Sequence, residues 1–269
     1  MPIPRLHGFE LEDQPWFPAT IRDLATDYLH FMETRFGLHR PIVALLADAL
    51  RASGSRQILD LCSGGSGPIA ALQRALADQG LDVHCTLTDR FPNLSAFRSA
   101  EAESQGRITF VAEPVDARQV PAHLHGFRTL FNAFHHFRPA DATAVLRSAT
   151  EAGQPIAIFE VPERTLPVIA SFLLTPLVVV LATPFLRPFR WRRLLWTYLI
   201  PLVPLTCLWD GIVSQLRAYT VAELGRLAQG VGAETYLWSA GRVPMPNLPG
   251  HVTYLIGYPG SPAAVGSEA

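Results

Sequence analysis

Lysine is absent: all 22 basic residues of this 269-residue chain are arginines. That excludes a lysine Schiff base and the lysine of a Walker-type phosphate loop. Cysteine is scarce. Cys62, Cys85 and Cys207 lie far apart with no CxxC pair, so neither a disulfide framework nor a zinc knuckle is expected, and a reducing compartment fits best. Charge is thin, at 17% of residues against 49% hydrophobic, and mean hydropathy is +0.19. Disorder of the whole chain is thereby excluded. A formal net charge of -1 leaves no broad basic surface, so nucleic acid is not an expected partner. The start, MPIPRLHGFELEDQPW, has no apolar leader core, and a cytoplasmic location is expected.

What is present alternates between helix and strand patterns. Residues 1–15 read as an irregular arm. Ile21, Leu24, Tyr28, Leu29 and Phe31 recur at helical spacing between Ala19 and Phe36. A second helix is expected from Pro41 to Arg51, with proline tolerated in its first turn. Then come a short strand, Gln57–Leu61, a Gly/Ser turn, Cys62–Gly67, a helix, Pro68–Gln79, and a strand ending at Thr88. Further strands are expected at Ile108–Val111, Arg128–Ala133 and Pro155–Val161, with a helix at Pro139–Ala152. Alternation of this kind calls for a mostly parallel sheet covered on both faces. Thr220-Val-Ala-Glu223 is a capping-box signature opening a helix to about Gly230, and Thr235–Ser239 and His251–Tyr258 read as the last strands.

Glycines after a strand let the chain turn sharply and let a ligand approach the backbone. The turn here is Asp60-Leu61-Cys62-Ser63-Gly64-Gly65-Ser66-Gly67. Asp89 ends the next strand, where a carboxylate accepts from both hydroxyls of a ribose, and Asp116 follows the third strand, where one can accept from an adenine amino group. The run ILDLCSGGSGP resembles the first motif of class I, Rossmann-like S-adenosylmethionine-dependent methyltransferases; LTDR resembles their second motif, PVDA their adenine-contact motif, and TLFNAFHHF their fourth strand. Cys62 and Ser66 stand where that family carries its first and third glycines. The glycines Gly64, Gly65 and Gly67 match the NAD-type G-x-G-x-x-G spacing poorly.

The resemblance implies an α/β fold, a mostly parallel seven-stranded sheet with its last strand antiparallel, and S-adenosylmethionine as cofactor. Carried over residue by residue, it sets Asp60, Cys62, Ser63 and Gly64 along the methionine and ribose end. Asp89 and Arg90 fall at the ribose and adenine, Asp116 and Ala117 at the adenine edge, and Phe131 and Asn132 beneath the sulfonium. It divides the chain into an N-terminal helical cap (1–52), a cofactor-binding core (53–164), an apolar insert (165–209), the rest of the core (210–258) and a disordered tail (259–269).

Methyl transfer needs positioning first, and a base only if the acceptor must lose a proton. His135 and His136, just past the fourth strand, are the candidate bases, against roles in helix capping and packing beside Phe134 and Phe137. Glu160, ending the fifth strand, is a third candidate, with pairing to Arg164 as its alternative. Asp210 either reaches the site or caps a following helix, and the cap is favoured. Trp16, Tyr28 and Phe31 either cover the cofactor or pack in the core, the latter favoured. No metal is expected.

The insert is uncharged from Thr165 to Leu186, a helix of ~33 Å, and again from Leu194 to Trp209, ~24 Å. The first run is long enough for a bilayer core and the second is not. Prolines interrupt both, and Arg187, Arg190, Arg192 and Arg193 lie between them. Carrying those arginines across a membrane opposes the positive-inside tendency. A re-entrant or interfacial hairpin at the inner membrane face is therefore expected, with its arginines and Trp191 and Trp196 at headgroup level. A buried lid or a dimer interface is the alternative. The expected activity is methyl transfer to a lipophilic small molecule. The competing readings are an enzyme on this fold using S-adenosylmethionine or NAD without net methyl transfer, and a non-catalytic nucleotide sensor.

Overall fold

Short segments in which neighbouring residues alternate between two apolar layers pair edge to edge into one sheet. A computed structural model describes residues 3–187, 189–231, 236–245 and 250–260. Its strands are β1 (Gln57–Asp60), β2 (His84–Leu87), β3 (Ile108–Phe110), β4 (Phe127–Phe131), β5 (Ile156–Glu160), β6 (Tyr236–Pro244) and β7 (His251–Pro259), in the order β3-β2-β1-β4-β5-β7-β6. β1 to β5 are parallel, and β7 runs antiparallel to both its neighbours. This is the expected α/β sheet with one reversed strand.

The two-residue period divides β5 cleanly. Ala157 and Phe159 face the layer built by α2 (Val43–Ser53), α3 (Ile69–Asp78) and α4 (Leu94–Glu103). Ile156 and Ile158 face α5 (Pro139–Glu151) and α10 (Val221–Gly230). Helix α10 opens with the expected capping box between Thr220 and Glu223. The helix α4 has no counterpart in the sequence reading; its marker is Asn93, whose side chain accepts the Ala96 N–H at 3.2 Å. Strand β6 runs longer than Thr235–Ser239 because it pairs with β7 out to Pro244 and His251; Thr235 and the tail from Ser261 lie outside the described residues.

A third apolar layer sits on the sheet's edge. Ile21, Leu24, Ala25 and Tyr28 of α1 (Ala19–Phe36) pack against Val179, Ala182 and Leu186 of the insert and Val203 and Cys207 of α9. The insert comprises α6 (Leu166–Ser171), α7 (Thr175–Ala182) and α8 (Trp191–Leu194), and α9 spans Leu202–Arg217. The helical run Leu166–Phe185 has a mean hydropathy of 2.3 and is long and apolar enough to cross a membrane. The segments Trp191–Leu199 and Leu202–Arg217 meet at a 73° bend, beside Pro201, which cannot donate a helix bond.

Two expectations are corrected here. Asp210 does not cap a helix, because α9 runs through it, and the boundary drawn at 209 falls inside this helix. Arg193 does not reach the surface: it is buried, with Nη2 2.6 Å from Asp27 Oδ2 of α1, where Arg190 also pairs at 3.2 Å. Docking α1 against the insert leaves Asp27 beside this arginine, and a buried guanidinium needs its counter-ion. Arg187 and Arg192 are exposed as expected. The outer face of the insert remains uncovered, with Trp191 and Leu199 each 76% exposed.

Candidate active site

The turn after β1 is built from left-handed residues: Cys62 (φ 58°), Gly64 (50°), Ser66 (75°) and Gly67 (46°). Glycine adopts this region freely; cysteine and serine pay about 1–3 kcal/mol each. Such sequences of backbone turns aim N–H groups into a shared concavity. Asp60 holds the turn from below. Its Oδ2 accepts the Ser63 hydroxyl at 2.7 Å and its Oδ1 the Thr129 hydroxyl at 2.7 Å. Burial pushes its pKa up to about 7. Asp60 and Ser63 thus brace the turn, and both are buried. Cys62 is half-buried, packed against the α5 side of the core.

Asp89 comes to the same turn from β2. Its Oδ2 accepts the Gly64 N–H at 2.8 Å and its Oδ1 the Phe91 N–H at 2.7 Å. Arg90 is exposed over the Phe91 ring. Asp116 is gripped by Arg118, whose Nη2 lies 2.7 Å from Oδ2, and that hydrogen bond holds its carboxyl below the usual range. Ala117 beside it is buried. At the end of β4, Phe131 stacks on Phe159 with centroids 5.6 Å apart. Asn132 is left-handed (φ 51°); it accepts the Val161 N–H at 2.8 Å and donates to Glu33 at 3.1 Å. These groups share the carboxyl edge where β1 and β4 part, the place at which open α/β sheets bind ligands.

Past Asn132, His135 and Glu160 form a buried pair. His135 Nδ1 is 2.5 Å from Glu160 Oε2, while Glu160 Oε1 accepts the Phe134 N–H at 2.7 Å. On the other side of the ring, Nε2 lies 3.9 Å from Glu10 Oε1. The alternative partner for Glu160 is not used, since Arg164 pairs with Glu223 at 2.8 Å. His136 belongs to a different group. Its Nδ1 lies 3.2 Å from Asp13 Oδ1, and against the cost of burial that hydrogen bond and the Glu10 charge raise its pKa to about 9. Burial likewise opposes ionisation of Asp13, yet His136 and Arg217 hold its carboxyl well below the usual range.

The N-terminal arm supplies what the sequence reading lacked. Glu10 is 1% exposed, and its Oε1 meets Arg217 Nη1 at 3.0 Å. The same Nη1 lies 2.9 Å from Asp13 and 3.2 Å from His136. Asp210 accepts the Leu11 and Glu12 N–H groups at 2.6 and 3.1 Å. Glu10, His135 and His136 also bring ligand-type atoms within 4.8 Å of one another. The cation at that cluster is the Arg217 guanidinium, and a metal ion would have to displace it.

Arm, α1, insert and α9 enclose a cavity of about 370 Å³. Asn132, His135, His136 and Val161 line it from the sheet edge, Tyr28, Leu29 and Met32 from α1, and Phe172 and Val178 from the insert. Tyr28 is thus both core and cavity wall, while Trp16 stands in solvent. Here burial, with Asp210 and Glu10 adding like charge, pushes Glu12 to about 7. Asp210 is pushed to about 6, chiefly by burial.

Two outcomes follow for stability. Ser66→Gly removes a left-handed side chain and is expected to stabilise the fold by about 1 kcal/mol, read as a higher urea midpoint; an unchanged midpoint contradicts the strain. Asp60, Glu12 and Asp210 carry raised carboxyl pKa values and His136 a raised imidazole pKa. Each contributes stability that is complete below its unfolded pKa and lost as pH rises through the folded one. Tm is expected to fall steadily between about pH 5 and about pH 9, and a flat or rising scan contradicts the assignment.

No protein-family model and no curated protein matches the sequence. Solved structures match the fold. The plantazolicin methyltransferase BpumL, in complex with SAH, aligns over 93% of this chain and 94% of its own at TM-score 0.58 and 11% identity. NcsB1, an O-methyltransferase from neocarzinostatin biosynthesis solved with S-adenosyl-L-homocysteine and 1,4-dihydroxy-2-naphthoic acid, aligns over 90% of this chain and 59% of its own, at TM-score 0.52 and 16% identity. PigF with SAH gives 92% and 61%, at TM-score 0.52 and 18% identity. The chain thus spans about three fifths of NcsB1 and PigF and nearly all of BpumL. The likeness is one of architecture: this chain has the Rossmann-like fold of those methyltransferases.

Proposed function

We propose that the chain is an S-adenosylmethionine-dependent methyltransferase acting on a lipophilic small molecule, with its insert in contact with a membrane surface. The observation that carries the reading is the junction, at one sheet edge, of a left-handed N–H turn, the Asp89 carboxylate and an apolar-walled cavity.

The residues at the turn fit the cofactor. Cys62 and Gly64 would hold its methionine and ribose end, Asp89 its ribose hydroxyls, and Arg90, Asp116 and Ala117 its adenine edge. Phe131 and Asn132 would lie beneath the sulfur. S-adenosylmethionine supplies an already activated methyl group, so the protein's contribution is mainly placement. His135 is the group suited to accept an acceptor proton, because it lines the cavity with its ring held at Nδ1 by Glu160. His136 is not, since it is already protonated at neutral pH. The leucine, methionine, phenylalanine and valine side chains along part of the cavity wall favour an apolar body.

The membrane reading is supported by the outer face of the insert. Large apolar side chains lie open along it, fringed by Arg187, Arg190 and Arg192. Patches of this kind mark interaction sites, and arginines beside them suit anionic headgroups.

Calorimetry with S-adenosylhomocysteine is expected to show tight binding, weakened at least about tenfold by Asp89→Ala; undiminished affinity removes the ribose role. His135→Ala is expected to lower transfer of labelled methyl into lipid extracts by about 100-fold while leaving that affinity intact. For the surface contact, the protein is expected to float with anionic vesicles, and the Trp191→Glu, Leu199→Glu double variant to remain at the bottom. Equal flotation of the two withdraws the membrane claim.

A further inference from the structure

The cavity is lined by five carboxylates, Glu10, Glu12, Glu33, Glu163 and Asp210, and among the described residues by no arginine. Two of the five are matched by cations. Glu10 meets Arg217 at 3.0 Å, and Glu163 meets Arg242 at 3.2 Å and His251 at 3.3 Å. The other three have no ion pair among the described residues. Asp210 accepts only backbone N–H groups from the arm, and Glu33 accepts the Asn132 amide. The charges acting most strongly on Glu12 are Asp210, Glu10 and Asp13, of its own sign, and His136, of the opposite sign; that imidazolium is already committed to Asp13, and the nearby Arg22 guanidinium donates to the Glu12 main-chain carbonyl at 2.9 Å. A separate observation points the same way. Glu10 is buried on the cavity wall, and its Oε2 has no hydrogen-bond partner, with the His136 Nδ1 at 3.6 Å.

An uncharged or anionic guest leaves these groups uncompensated, and a phenol or acid adds further negative charge among them as it ionises. A cation resolves the imbalance. We propose that the acceptor is a lipophilic amine, taken up as its ammonium, with its head among Glu12, Glu33, Asp210 and the Glu10 oxygen that has no hydrogen bond. Its hydrocarbon lies along Leu29, Met32, Phe172 and Val178. This rests on the methyltransferase reading and narrows it to nitrogen as the receiving atom. The balance is simple. The ammonium gives one proton to His135 Nε2, and the freed nitrogen pair forms the bond to the methyl carbon. The carbon–sulfur bond breaks with its electrons on sulfur, leaving a methylated ammonium and a neutral thioether.

At pH 7 a carboxyl at about 7, as Glu12, is about half protonated and one at about 6, as Asp210, is mostly ionised, and a bound cation favours the ionised form of both. Binding of the ammonium should therefore release protons.

The test is calorimetry on the full chain saturated with S-adenosylhomocysteine, titrated with octylamine, octanol or octanoate. Octylamine is expected to bind at least about tenfold more tightly than octanol, with protons released to buffer near pH 7, and octanoate to give no heat. Glu12→Gln keeps the shape and the backbone N–H to Asp210. It is expected to weaken octylamine about tenfold and to leave octanol binding unchanged, with the same circular dichroism spectrum showing that the chain is folded. Glu33→Gln, on a different helix, provides the same reading should the first variant unfold. Octanol binding as tightly as octylamine overturns the inference, as does an unaltered octylamine affinity in both variants. It is also overturned if the variants lose affinity for S-adenosylmethionine but not for its uncharged product and still bind octylamine normally, because the carboxylates then serve the sulfonium. Failure of S-adenosylhomocysteine to bind defeats the methyltransferase reading itself, and appears in a separate titration before any amine is added.

Discussion

A guanidinium buried at the end of α9 must find its counter-charges, and at Arg217 that requirement organises the site. The residue is 4% exposed. Its side chain gathers Glu10, Asp13 and the Gly8 carbonyl from the arm and touches His136 at the sheet edge. Leaving such a charge unmatched costs about 3–5 kcal/mol. Residues 3–15, which form no helix or strand, are thereby laid along α9. Asp210, two turns earlier, repeats the device with backbone N–H groups. The cavity exists because the arm is held there.

The turn after β1 obeys a second constraint. Cys62 and Ser66 occupy backbone conformations that glycine would adopt without strain. What keeps them there is the buried brace of Asp60, Ser63, Thr88 and Thr129. Strain above and hydrogen bonds below are two halves of one arrangement, and the edge shared by β1 and β4 fixes where it opens.

Much of this was legible from residue order alone. The two-residue period of β5, the capping box at Thr220 and the turn after Asp60 each carry a local signal, and each was found. Helix α4 was not, because its apolar spacing is weak and Asn93 alone marks its start. The pairing of His135 with Glu160 was half visible: both residue types sat at strand ends on one edge, but the bond depends on β4 lying beside β5. Glu10, Asp13 and Arg217 were invisible as a group. They are separated by some two hundred residues, and nothing periodic links an irregular arm to the last turn of a distant helix. Arg193 failed for a related reason, since a cluster of arginines reads as surface until the fold sets Asp27 beside one of them.

Helix α9 is a rod of roughly 24 Å by its rise per residue, with Leu202 and Leu205 open to the outside at one end and Arg217 buried at the other. Between them, Cys207 and Asp210 form part of the chamber wall. Because α9 is one continuous helix, its open end, the chamber wall at Cys207 and Asp210 and the Arg217 contacts with the arm are all carried by a single rigid element, so the placement of the arm fixes the placement of the wall.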